Sequence, residues 1–401
     1  MVGAAGFLLV AVWFVPWEPV AGGAPDPVSA RSVFTAAQIE RAEEFSSAAR
    51  FWSWSSLAVS LLVACWLGFG RRGRALADRT RGPQWLRVVT VVALLALIGR
   101  LATLPFAIGY RRLALDAGLS TSSWGAWALD LVKGELVAIV STSIALAVLL
   151  TCVRRWQRSW PAIAGALLAG FVVIGSFVYP VLVEPLFNTF TPLDDGRLRD
   201  QIVAVAEREG VEIDDVLVAD ASRRTTTLNA YVSGFGGTKR VVLYDNLVAD
   251  DVPQGEVVSV VAHELAHAKH DDVVLGTALG ALGALCAGGL LGVVTDLVRR
   301  RGRPDMGDVG AVPMVLALAA LATVLVAPVQ NGISRQIETR ADVTALRSTD
   351  APQPFVELQR RLAIRSLADP TPPALSQWWF GSHPTVLHRV ATAEAVLGPL
   401  P

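Results

Sequence analysis

Seven stretches of this chain are apolar for long enough to cross a bilayer, and nothing else in the sequence limits the fold so strongly. A crossing helix needs about 20 residues, since about 30 Å of hydrocarbon must be covered at about 1.5 Å per residue. The stretches run roughly over 3–17, 55–70, 88–108, 135–153, 160–183, 273–298 and 311–330. The first is the shortest. Val28-Ser29-Ala30 after it resembles a leader cleavage site, but no basic segment precedes the apolar one, so an uncleaved span is expected. Charged residues make up only 17% of the chain, against about 25% in soluble domains. They are crowded between the apolar stretches, as a multi-pass helical membrane protein requires.

Composition also excludes partners. The formal net charge is zero, so no nucleic-acid footprint is expected. Cys65, Cys152 and Cys286 lie far apart in or beside apolar stretches, which fits neither a disulfide framework nor a Cys-x-x-Cys metal site. Basic residues are nearly all arginine, with lysine only at 133, 239 and 269. With so much Ala and Val, that is a coding bias of the GC-rich bacterial kind. The expected environment is a lipid bilayer, with no obligate protein partner.

Two regions are polar enough for water. Residues 184–272 read as an α/β unit: a helix near 197–209, a strand at 216–218, a Gly-rich loop at 234–237, a strand at 241–244 and a helix over 254–270. Residues 331–366 read as helical and 387–397 as a short last helix. The chain therefore divides into a five-span region (1–183), the α/β unit (184–272), two spans (273–330) and a C-terminal helical region (331–401).

All five histidines fall in two places. His263 and His267, in His263-Glu264-Leu265-Ala266-His267, sit one turn apart on one helical face, a spacing that lets both imidazoles grip one zinc ion. Glu264 is within reach of a metal-activated water as general base. The bland reading is a surface histidine pair beside a membrane. The third ligand comes from elsewhere, because position 270 is His and 273 is Val, where a His-x-x-Gly-x-x-His motif needs Gly and His. Of the glutamates that follow, Glu338 stands out from Glu357 and Glu394. With Asn331, Ser334, Arg335 and Asp342 it forms a polar stripe on one helical face just past the last span. Asp342, one turn on, is placed to orient a ligating histidine, and Arg335 lies in the same stripe. The bland alternative is a solvated, salt-bridged helix. His270 and His388 read as bystanders.

These residues resemble the type I CAAX prenyl proteases, membrane zinc peptidases in which a glutamate completes the metal site. Glu184–Leu193 is similar to that family's segment after the fifth span. Asn229-Ala230-Tyr231, Gly234-Phe235-Gly236 and Lys239–Asp245 are similar to its strand region, Ser382-His383-Pro384 with Arg389 to its C-terminal motif, and Gly118–Thr121 with Trp124 to its third loop. The resemblance implies a barrel of about seven helices around a water-filled chamber, with an inserted zincin-like α/β metallopeptidase domain and one zinc ion per chain. It implies catalytic roles for Asn229, His383 and Arg389 near the scissile carbonyl, beside Glu264 as base and His263, His267 and Glu338 as metal ligands. The strand Asn229–Ser233 is expected to take substrate as an added strand. A peptide or protein substrate follows. True prenyl-tail processing and, from another class, a transporter or receptor with a structural metal remain alternatives.

The positive-inside rule sets an orientation. Loops 2, 4 and 6 hold thirteen arginines, among them Arg71, Arg72, Arg154, Arg155 and Arg299, while loops 1 and 3 hold six basic residues. The arginine-rich loops are expected in the cytoplasm of a cell-membrane protein, with the catalytic side outside it. A cysteine at Gly302, in a background without the native cysteines, is expected to stay unlabelled by an impermeant thiol reagent on intact cells. Labelling there, with protection at a loop 1 site, reverses the orientation.

Overall fold

The computed structural model describes residues 2–234, 239–300 and 306–398, the side chains of 298–300 excepted. The chain begins with α1 (Val2–Phe14), a single turn α2 (Ala30–Val33) and the long helix α3 (Ala36–Phe69). A short α4 (Arg71–Asp78) leads to α5 (Gln84–Asp116), α6 (Trp124–Arg155) and α7 (Trp160–Val178). The polar unit follows, as β1 (Phe190–Pro192), α8 (Arg197–Glu209), β2 (Asp215–Ala219), β3 (Ala230–Ser233), β4 (Arg240–Tyr244) and α9 (Gln254–Lys269). Helices α10 (Asp272–Arg300) and α11 (Val312–Thr349) complete the bundle, before α12 (Pro352–Ser366), α13 (Ala374–Phe380) and α14 (Val386–Leu397).

Among the described residues six helices are long and apolar enough to cross a membrane. The first expected span differs. Helix α1 has 13 residues, about 20 Å, which falls short of a full hydrocarbon layer. It leans on α10 instead: a Cβ at Gly3 would meet the Cys286 backbone nitrogen at 2.9 Å, so only glycine permits that approach. The region boundary placed at residue 330 falls inside a helix. One continuous helix of 38 residues, α11, carries both the last span and the polar stripe, with Pro328 inside it. It ends at Asp350, which adopts a left-handed φ of 49°, and Pro352 opens α12 where its missing N–H costs nothing.

The sheet has the order β1-β2-β4-β3. Strands β2 and β4 pair in parallel, while both outer pairs are antiparallel, which leaves β3 on an edge. The β-branched inner strands bury Val216, Val241 and Leu243 against Ile202 and Val205 of α8 and Val257, Val261 and Leu265 of α9. Most of the expected Gly-rich loop, from Phe235 on, lies outside the described residues, as does the expected loop 6 site Gly302.

Helix α9 is pinned at its first turn. Glu256, 4% exposed, accepts two bonds from Arg361 of α12, at 2.6 and 3.0 Å. A carboxylate there also complements the positive end of the helix. Removing Arg361 strands a buried charge, so Arg361→Ala is expected to cost about 3–5 kcal/mol and to lower the melting temperature in detergent by several degrees. Replacing both partners by leucine is expected to cost less. Parental melting in Arg361→Ala contradicts this account.

Candidate metal centre

Because α9 turns Val257, Val261 and Leu265 to the sheet, its other face meets α11. His263 and His267, four residues apart, present their Nε2 atoms side by side, 3.2 Å from one another. Glu338 of α11 reaches between them, with Oε2 3.2 Å from Nε2 of His263 and Oε1 3.7 Å from Nε2 of His267. One ligand atom from each of the three lies within 4.8 Å of the others.

The outer ring nitrogens determine what the inner ones can do. Nδ1 of His263 stands 2.9 Å from Asp342 Oδ1, and Nδ1 of His267 stands 2.9 Å from Asp272 Oδ2. A carboxylate there draws the ring proton to Nδ1, leaving Nε2 as a bare lone pair. Two such lone pairs 3.2 Å apart repel unless a cation lies between them. Glu338 Oε2 is buried with no hydrogen-bond partner among the described residues, a third acceptor without a donor. The demand for positive charge shows in titration too. Burial opposes a charge on His263, yet the adjacent Asp342 and Glu338 carboxylates outweigh it and raise its pKa to about 10.

Each orienting carboxylate is itself held by an arginine. Asp342, 1% exposed, binds Arg389 through both oxygens, with Nε 2.8 Å from Oδ2. Asp272 binds Arg340 through Oδ1. Arg389 thus engages Asp342, with 11% of its side chain exposed, rather than open space beside a substrate. Asp272 and Arg340 escape sequence reasoning because five residues along a continuous helix point Asp272 away from His267. A break at His270–Asp271, where Asp271 takes a φ of 52°, turns it back. A carboxylate just past a histidine helix, at such a break, is the signal that could have found it.

The remaining stripe residues do other work. Asn331 donates to Trp379 O at 2.5 Å, and Arg335 to Gln377 O and Gly381 O at 3.2 and 2.5 Å. These are carbonyls at the C-terminal end of α13, where cations are favoured, so Arg335 braces the segment that carries His383. Gln377 in turn donates to His383 O at 2.7 Å. His383 brings Nε2 to 3.4 Å from Glu338 Oε1 and keeps 59% of its side chain exposed, facing the open side of the centre. Asn229 is exposed at the start of edge strand β3. His270 bonds to Thr344 and His388 to Thr385, both away from the centre.

Glu264 lines a cavity of about 330 Å³ with Val232, Gly234, His267 and Glu338. Burial pushes its carboxyl pKa up, with the neighbouring imidazoles opposing the shift. A carboxylate raised toward neutrality beside a metal site is suited to take up a proton.

A bundle of apolar helices, a paired-histidine helix and a glutamate from the next long helix define a membrane-embedded metalloendopeptidase. Comparison with known proteins agrees. The family model for peptidase family M48 matches residues 192–397, and that for the CAAX prenyl protease N-terminal region, with five membrane helices, matches 24–189. This chain belongs to peptidase family M48. It is 29% identical over 392 residues to the uncharacterized metalloprotease YhfN of Bacillus subtilis, covering 94% of this chain and 89% of that one. A CAAX prenyl protease 1 homolog of Oryza sativa is 31% identical over 325 residues, 77% of this chain and 73% of that protein. The crystal structure of S. mikatae Ste24p shares the fold, with a TM-score of 0.79 at 21% identity, covering 98% of this chain and 97% of that one. Membership of a peptidase family removes the transporter or receptor alternative.

Losing an orienting carboxylate typically costs 10- to 100-fold in metal affinity. Asp342→Asn and Asp272→Asn are each expected to weaken metal binding by about that factor, read by competition with a fluorescent chelator. Unchanged affinity in Asp272→Asn removes it from the centre.

Proposed function

We propose that this protein is a zinc metalloendopeptidase that hydrolyses peptide bonds of membrane-associated or exported proteins, with its catalytic side outside the cytoplasm. The observation that carries the reading is the convergence of two bare Nε2 atoms and one unpartnered carboxylate oxygen on a single point. Zinc bound by nitrogen or oxygen at about 2.0–2.1 Å in tetrahedral geometry sets its ligands about 3.3 Å apart. Here the two Nε2 atoms are 3.2 Å apart, Glu338 Oε2 is 3.2 Å from that of His263, and Oε1 of the same carboxylate is 3.7 Å from that of His267. Two histidines, one glutamate and an open position make the ligand set of a catalytic zinc site, whereas closed structural sites are usually rich in cysteine.

When bound, the metal supplies a Lewis acid that polarises the scissile carbonyl and acidifies an attacking water. The chain supplies the rest. His263, His267 and Glu338 hold the ion, with Asp342 and Asp272 fixing the imidazoles. Glu264 takes the proton of the attacking water and passes it to the departing amine as the C–N bond breaks. His383, facing the open side, donates to the oxyanion that develops on the carbonyl oxygen. Asn229, at the head of edge strand β3, binds the substrate main chain laid along that strand. Arg389 acts through Asp342 and Arg335 through the α13 carbonyls, so both are positioning residues in this reading. The arginine-rich loops support the orientation, which separates this protein from cytosolic prenylated tails. Prenyl-tail processing draws support from the names of relatives, which include plant, fungal and animal CAAX prenyl protease 1 proteins.

Three variants test the assignment. Glu264→Gln is expected to keep full zinc and lose peptide cleavage by at least about a hundredfold, the lower end of the range for a general base. Glu338→Ala is expected to lose zinc on dialysis and activity with it, while Glu357→Ala, on α12, retains both. Zinc per chain is set beside cleavage of a quenched peptide. Full zinc in Glu338→Ala, or substantial activity in Glu264→Gln, overturns the scheme.

A further inference from the structure

The larger cavities do not lie at the metal. One of about 610 Å³ is enclosed by α3, α5, α6 and α11, and Arg100 and Glu135 are the acid and base in its lining. Arg100 is midway along α5, sixteen residues from either end (84 to 100 and 100 to 116). That places a charge about 24 Å from each terminus, at the depth where ionisable groups are costly and mark function by default. The pair is incompletely used. Arg100 directs Nε and Nη2, at 3.0 and 2.6 Å, to the same oxygen, Glu135 Oε2. Nη1 of Arg100 and Oε1 of Glu135 make no hydrogen bond among the described residues, and the two side chains remain 38% and 25% exposed. An ion pair built for stability alone would close both faces, and a pair at this depth contributes little stability in any case.

The cavity leads toward the metal. Ser53 and Ser56 also line a second cavity of about 590 Å³, whose wall includes Thr225 and Thr227. Three residues after Thr227 the chain enters β3, and Val232 within that strand lines the cavity that holds Glu264 and His267. The strand thus has the second cavity before its start and the metal-centre cavity along its length. The pair leaves the N–H groups of Nη1 and the carboxylate oxygen Oε1 free to engage the C=O and N–H of a peptide main chain, and it reads no side chain.

We propose that Arg100 and Glu135 form a remote subsite that binds the main chain of a long polypeptide substrate inside the membrane bundle. The proposal rests on the peptidase reading and extends it: the enzyme favours substrates whose chain reaches well beyond the scissile bond. Arg100 lies eleven residues before Arg111 of the second cavity, about 17 Å along α5, and the four residues of β3 add about 13 Å, so the path from strand to pair is on the order of 30 Å. An extended chain covers that in about nine residues.

The test uses labelled peptides sharing one cleavage sequence and lengthened in steps to about fifteen residues, on the N-terminal side in one series and the C-terminal side in the other. Affinity is read by fluorescence anisotropy on the zinc-loaded Glu264→Gln protein, and cleavage on the active one. In one series, binding is expected to tighten about tenfold as the extension passes about nine residues, with KM falling and kcat steady. Arg100→Leu/Glu135→Leu, which leaves no stranded charge, is expected to flatten that step while cleaving the shortest peptide within twofold of the parent. The exchanged pair Arg100→Glu/Glu135→Arg, which keeps one donor and one acceptor, is expected to restore most of it. Length-independent binding in both series, or a full step in the double leucine variant, overturns the subsite. Length-dependent binding without any cleavage by the active protein leaves the subsite standing and overturns the peptidase reading instead.

Discussion

The centre depends on a proton being held on the far side of each imidazole. With Asp342 behind His263 and Asp272 behind His267, each at 2.9 Å, both Nε2 atoms are acceptors only, and they face one another. Such an arrangement favours a cation between them, and the carboxylates behind fix both rings in that orientation. The arginines complete the design. Arg389 and Arg340 neutralise the two carboxylates from behind, which allows four charged groups to be buried together with no stranded charge. The same logic assigns the elements their places: α9 brings the imidazoles, α11 brings Glu338 and Asp342, α10 begins on Asp272, and α14 brings Arg389.

Helix α11 shows how one element serves two solvents. Its first half buries Met314 and Ala317 in the bundle, where hydrophobic packing is the available glue. Its second half presents Asn331, Arg335, Glu338 and Asp342 in sequence, each with its own task. The upper two hold the carbonyls at the end of α13, and the lower two build the centre. A polar stripe at the end of a span is costly unless its members find partners; Asn331, Arg335 and Asp342 do, and Glu338 Oε2 is the atom left over.

Much of this was legible in the residues. Hydropathy located the long helices, the four-residue spacing located the histidine pair, and the stripe on α11 singled out Glu338 among distant glutamates. Three things were not legible. The shortness of α1 depends on packing against α10, since an apolar run alone does not say where a helix stops. The continuity of α11 through residue 330 was hidden by a change in polarity that resembles a boundary but alters no backbone preference. Asp272 was hidden by a left-handed residue, Asp271, that reverses the direction of the chain; Asp tolerates that conformation without requiring it. Arg389 illustrates a further limit. A motif can indicate that an arginine belongs to a site, but only packing reveals that its partner is Asp342.

Helix α11 is also a lever. At 38 residues it is about 57 Å long, and one rigid body joins the lipid-facing bundle to a metal ligand. Glu338 lies ten residues, about 15 Å, beyond Pro328, where the absent backbone bond makes bending easiest. A tilt of about 5° at that point displaces the carboxylate by about 1.3 Å, on the order of the misplacement that costs a catalyst a hundredfold. Bilayer thickness bears on helix tilt, so a lipid layer that tilted α11 would carry Glu338 with it.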